Sequence, residues 1–146
     1  MTDRVAIATA RLQNEEGKKP RAYNDATGET VSCRPGGNLS IGFGINLETG
    51  LDDYEMDFLL QHRVSVTDKA LRAYIWYTGV DEIRGSVLLD VGFNSGISGL
   101  LHFPKMLAAA GDHDWPTMSH ECAVANPKLD ASRYAPLRQI ILSGVV

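Results

Sequence analysis

Apolar positions recur at helical spacing at the two ends of the chain and at alternating spacing between them. Over residues 2–16, Val5, Ala8, Leu12 and Glu16 share one face at ~100° per residue, which predicts a helix. Gly17, of the residue type that commonly follows a helix end, comes next. The stripe therefore closes on an acid where a leucine is expected. Glu16 either points into a groove or lies at a frayed end in water.

Between Tyr23 and Leu47, the glycines at 28, 36, 37, 42 and 44 and Pro35 punctuate short extended runs, which predicts a small antiparallel sheet. The run 40–45 alternates as one strand. Ile41, Phe43 and Ile45 face a core, and Ser40, Gly42 and Gly44 face the other way. Two glycines on one face imply either a group approaching the backbone there or a bulge. After Gly50, Asp52 or Asp53 caps a helix reaching about residue 77, weakened in its middle by the β-branched Val64, Val66 and Thr67, where a bend is expected. Shorter helices follow at about 83–91, 99–110, 116–125 and 131–142. Gly111 stops one, Asp114 starts another, and Pro136 predicts a kink or a later start near Tyr134. The expected architecture is α+β in one domain, 1–146. A small β lobe spans about 18–50, a connecting helix about 51–77, and a helical lobe about 78–146 together with 1–16.

At 146 residues the chain is long enough to bury its own core without staples. Its 44% apolar and 22% charged residues are ordinary globular composition. A net charge of −4 argues against a nucleic-acid binder, which needs a basic face. No apolar run approaches the ~20 residues of a membrane span, and the opening segment is too short and interrupted for an export signal, which predicts synthesis in a reducing cytoplasm. Cys33 and Cys122 are then either two free thiols, the commoner state in that compartment, or a structural bridge.

The chemistry concentrates where the first helix meets the sheet. Glu16 and Asp25 stand nine positions apart across a helix-to-strand turn that can set them on opposite walls of one groove. Cleavage of a glycosidic bond needs one carboxyl that gives a proton to the leaving oxygen and another that activates water or attacks. Partial burial and the negative end of a helix both disfavour a charged carboxyl, which suits Glu16 to the acid role.

Glu16-Gly17, Tyr23-Asn24-Asp25, Gly28 and Ser40-Ile41-Gly42-Phe43-Gly44 together resemble the phage-type lysozymes, glycoside hydrolase family 24. The resemblance continues through Val91-Gly92-Phe93-Asn94-Ser95-Gly96, Gly99, Phe103, Trp115, Arg133 and Ser143-Gly144, and so covers nearly the whole chain in order. It implies a lysozyme-like fold and hydrolysis of the β-1,4 bond between N-acetylmuramic acid and N-acetylglucosamine in bacterial peptidoglycan. Glu16 would be the general acid and Asp25 the second carboxylate, with Ser40 in the place of a family threonine that helps hold the attacking water. Gly44, Asn46, Phe93 and Asn94 would line the sugar groove, and Arg133 would reach from the helical lobe to pair with Glu16. It implies no metal and no cofactor. It further implies a monomeric endolysin made in the host cytoplasm, with no membrane span of its own and dependent on a holin to reach the wall.

The chain departs from that pattern. The connection 26–39 is longer than in the shorter members, so that Thr30 competes with Ser40 on spacing while Ser40 keeps the Ile-Gly-x-Gly context. Serine replaces threonine, Ile45-Asn46 replaces a histidine-containing pair, and the chain is acidic where several members are basic. Three rivals stand beside this reading. A zinc-dependent amidase would draw on His62, His102, His113, His120 and Cys122, although no HExxH spacing is present. A non-catalytic wall-binding module or inhibitor would keep the frame without the chemistry. A lytic transglycosylase would need only the single acid.

Overall fold

A computed structural model of the chain describes residues 3–24, 27, 29–30, 40–43, 45–124 and 131–146, those at 123–124 and 131–133 by their backbone alone. Among them the fold is mostly helical with one small antiparallel sheet, an α+β arrangement. Helix α1 (Arg4–Glu16) starts at Asp3, whose carboxylate accepts the Val5 N–H at 3.2 Å, and ends at Gly17 with φ 65° and ψ 171°. That backbone region is nearly closed to residues with a Cβ, so the stop after Glu16 is written locally. Ala8 and Leu12 are fully buried, as the stripe predicted, while Glu16 is exposed.

Among the described residues the expected small antiparallel sheet is present, but the run 40–45 is not one strand. Strands β1 (Ser40–Ile41) and β2 (Ile45–Asn46) pair antiparallel around a turn that includes Gly42 at φ 60°. Apolar and polar residues alternate in a hairpin as in a strand, so the pattern could not separate the two. Ile41, Phe43 and Ile45 are exposed rather than facing a core. A further bridge joins Tyr23 to Thr30.

Helix α2 (Asp53–Leu71) opens with a reciprocal cap: Asp52 accepts the Glu55 N–H at 2.8 Å, and Glu55 accepts the Asp52 N–H at 2.9 Å. It runs without interruption through Val64–Thr67 and stops at Leu71, short of the expected end near 77. The chain then turns into the short α3 (Ile75–Thr78). Long-range bonds hold this break. The buried Tyr77 hydroxyl donates to Asp68 at 2.6 Å, and Arg4 donates to the Tyr77 carbonyl at 2.7 Å. Burial, and then the bond to Asp68, push the Tyr77 hydroxyl well above the usual phenol range.

Helix α4 (Glu82–Leu100) is the central element, with Gly85 through Gly92 all buried. It continues past the expected end at 91, and Gly96 (φ 71°, ψ 163°) kinks it before a last turn, 97–100, that takes in the start of the segment expected at 99–110. Helix α5 (Pro104–Gly111) therefore starts later, with Pro104 in its first turn. Helices α6 (Trp115–Val124) and α7 (Ala131–Ser143) complete the bundle. Asp114 accepts the Thr117 N–H at the start of α6 as expected. Helix α7 begins at Ala131 with Pro136 inside it, so the later start near Tyr134 does not occur.

Helix α1 packs on α4 and α2, α6 lies between α5 and α7, and α4 also touches α7. Leu12, Val64, Leu71, Leu88, Leu100 and Ile141 are fully buried in the shared core. Arg4 pins the start of α1 to α4. Its guanidinium donates twice to Glu82 at 2.9 Å and packs where a Cβ on Gly85 would lie 2.8 Å away. Among the described residues no helix is long and apolar enough to cross a membrane.

Candidate active site

Three elements converge beside the C-terminal end of α1. Past Gly17 the chain runs to Pro20, whose carbonyl accepts the Leu51 N–H at 2.7 Å and ties this segment to the entrance of α2. Helix α2 then brings Met56, Asp57 and Leu60 alongside, and α4 contributes Phe93 and Asn94 from below. These elements enclose an open cleft of about 440 Å³ that Glu16 and Tyr23 also line. Its apolar side comes from Leu12, Leu60 and Phe93, and its polar side from Glu16, Asp57, Lys18 and Asn94.

Asn94 is held in one orientation. Its amide nitrogen donates at 3.0 Å both to the Asp90 carbonyl and to the Asp90 carboxylate. An ionised carboxylate and a carbonyl only accept, so the NH₂ must face Asp90 and the amide oxygen must face away from it. Asp90 is in turn fixed by Arg11 of α1, whose Nε lies 2.7 Å from its carboxylate and whose Nη2 donates to the Ser86 carbonyl at 2.8 Å. The Asp90 side chain is 1% exposed and that of Arg11 10%, so the pair is a largely buried clamp that reaches the cleft through Asn94.

Asp57 is a second carboxylate in the cleft that sequence reasoning missed. It accepts from Gln13 at 3.2 Å and from Lys18 at 3.3 Å, with Asp53 3.5 Å from the same ammonium. Desolvation pulls the Lys18 ammonium down, but the bonds and charges of Asp57 and Asp53 together outweigh it and hold the group above its ordinary value. No motif marks Asp57 in the sequence; its place in the cleft follows only from how α2 lies against α1.

Of the residues singled out in the sequence, Glu16, Phe93 and Asn94 meet in this cleft. Ser40 and Asn46 do not line it. They face each other across the hairpin register, where Asn46 accepts the Glu48 N–H at 2.9 Å and shapes the next turn. Asp25, Gly44 and Cys33 lie outside the described residues, as does the side chain of Arg133, so their proposed roles rest on the sequence. Cys122 is free and buried.

The histidines are dispersed. His102 lies 2.7 Å from the Ser98 carbonyl, and His113 lies 3.1 Å from the Gly79 carbonyl while stacking on Trp115. Among the described residues no three His, Cys, Asp or Glu side chains are grouped to hold a metal ion. No protein-family model, curated protein or solved structure matches the chain.

Proposed function

We propose that this chain is a muramidase with a lysozyme-like fold, hydrolysing the β-1,4 bond between N-acetylmuramic acid and N-acetylglucosamine of bacterial peptidoglycan. The observation that carries the reading is the meeting of Glu16, Phe93 and Asn94, remote in the chain, on one open cleft. Those are three of the residues that the phage-lysozyme resemblance assigns to catalysis and to the sugar groove. An elongated saccharide suits such a cleft: apolar ring faces lie against Phe93 and Leu60, while hydroxyl and acetamido groups meet Asn94. Glu16 at its edge delivers the proton to the leaving oxygen.

In this reading Asp25, two positions beyond the cleft-lining Tyr23 in sequence, governs the attacking water, and Arg133 supports Glu16. A single displacement by water requires the Glu16 and Asp25 carboxyls to stand about 6.5–9.5 Å apart when sugar is bound. The protein acts as a monomeric endolysin that needs no cofactor, waits in the host cytoplasm and reaches the wall once a holin has opened the membrane.

The test is clearing of outer-membrane-permeabilised bacteria, with Glu16→Gln beside the unaltered chain. Clearing should fall by at least about a hundredfold, in line with loss of a general acid, while binding to the wall persists. Undiminished clearing by Glu16→Gln overturns the assignment. Fragment masses that include one added water per cut support hydrolysis, whereas anhydro ends point to a transglycosylase.

A further inference from the structure

Helix α1 ends at Glu16, Gly17 leads directly into Lys18, and the side chains of Glu16 and Lys18 line the same cleft. Two peptide units separate them, so their Cα atoms stand no more than about 7 Å apart, within the span of a lysine side chain. A cation that close favours the charged form of a carboxyl, which is the wrong form for a group that must give a proton. The Lys18 ammonium is instead engaged by α2. It donates to the Asp57 carboxylate at 3.3 Å and lies 3.5 Å from that of Asp53, one turn earlier on the same helix.

Asp57 is held in place for this contact. One of its carboxylate oxygens accepts from Gln13 of α1 at 3.2 Å and the other accepts from Lys18, so the packing of α1 on α2 orients the side chain. Gln13 stands one turn before Glu16 on α1. Asp57 is thereby tied both to the helix that carries the acid and to the lysine that follows it. The other charges near Glu16 do not duplicate this role. The Lys19 ammonium lies over the Tyr23 ring, 5.7 Å from its centroid, and Glu15 is exposed. Helix α4 brings the uncharged Phe93 and Asn94, and Asp90, to which Asn94 donates, is paired with Arg11.

We propose that Asp57 and Lys18 are positioning residues for the general acid: Asp57, with Asp53, holds the Lys18 ammonium on α2, so that the proton of Glu16 is kept for the leaving oxygen. The proposal rests on the muramidase reading and deepens it. Neither residue touches the reacting bond; both act through the charge that Glu16 meets. Asp25 and Arg133, which the same reading sets near Glu16, are unchanged in the variants below.

The experiment follows reducing-end release from purified peptidoglycan across about pH 4 to 9 and reads the position of the alkaline limb, where a general acid loses its proton. The Lys18 and Asp57 side chains are 43% and 38% exposed, so substitutions there should leave the fold intact. Asp57→Asn frees the ammonium and should move the limb down by roughly 0.3–1 pH unit, the scale of one charge at a partly exposed site. Lys18→Met leaves Asp57 and Asp53 without their cation and should move it up by a similar amount. The double variant should return the limb to the unaltered position, and Asp57→Glu, which keeps the carboxylate, should leave it there. Salt should shrink each displacement. NMR titration of the Glu16 carboxyl in the same variants, without substrate, should show the same displacements. A limb that does not move, that moves the same way in Asp57→Asn and Lys18→Met, or that stays low in the double variant overturns the proposal. Unmoved titrations in a chain that cuts peptidoglycan overturn the positioning role alone. Displaced titrations in a chain that cuts none overturn the muramidase reading, and the part of Asp57 and Lys18 in proton delivery with it.

Discussion

Replacing Arg11 with methionine tests the clamp that holds Asn94. The change removes the cation 2.7 Å from a carboxylate that is 1% exposed, together with the bond to the Ser86 carbonyl, and keeps most of the apolar stem. Breaking a buried pair on one side costs about 3–5 kcal/mol, because the remaining charge keeps its desolvation penalty. The Asn94 amide still donates to Asp90, which places the expected loss near the lower end, about 3 kcal/mol. At roughly 2–4 °C per kcal/mol for a chain of this size, the midpoint of thermal unfolding should fall by about 6–12 °C. Urea titration followed by circular dichroism should show a lower midpoint with an unchanged slope. Pairing Arg11→Met with Asp90→Leu should restore most of the stability, since apolar groups of similar volume replace a buried ion pair at little cost. That double variant also removes a carboxylate that orients Asn94, so its affinity for glycan should stay low although the fold has recovered. A loss under about 1 kcal/mol for Arg11→Met, or a double variant no more stable than the single, refutes the argument.

Two further outcomes follow from ionisable groups. The Arg4 guanidinium beside Glu82 is the main influence holding that carboxyl down, at about 2 against an ordinary 4.5. A depressed carboxyl contributes stability that is complete above its unfolded value and disappears as pH falls through the folded one. The stability gap between the unaltered chain and Glu82→Gln should therefore be constant near neutrality and close between about pH 4.5 and 2. Because the Glu82 side chain is 45% exposed, that gap is on the order of 1 kcal/mol, and a gap that persists at pH 2 contradicts the pairing. The Cys122 thiol is pushed up to about 12 by burial, with the nearby Asp90 charge adding to it. In a Cys33→Ser chain at pH 8, a thiol reagent should label the native protein at least about a thousandfold more slowly than a free cysteine, with full labelling in denaturant. Fast native labelling contradicts the buried placement.

Features written within a few neighbouring residues were legible from the sequence. The end of α1 at Glu16-Gly17 is one, because only glycine adopts that backbone easily. The starts of α2 at Asp52 and of α6 at Asp114 are others, because a side-chain cap reaches only its own first turn. Where tertiary contacts overrode local preference, the reading failed. The stop at Leu71 depends on Tyr77 turning inward to Asp68 and on Arg4, far earlier in the chain. The continuation of α4 past Val91 reflects a helix wrapped by its neighbours, whose packing outweighs the low helix propensity of its glycines. The hairpin at Ser40–Asn46 arises because alternation fits a turn with two short arms as well as one strand.

The same division runs through the site. Helical spacing left Glu16 open between a groove and a frayed end, and the family motif singled it out together with Phe93 and Asn94; their meeting in one cleft required the packing of α1 against α4. Asp57 and the Arg11–Asp90 clamp carry no local signature, since each is assembled from elements brought together in space. Sequence by itself determined which residues end and cap the helices, because those choices are settled by backbone sterics and hydrogen bonds within one turn. Which charges face which, and which of them share a groove, was decided only when burial of the apolar stripes set the helices against one another.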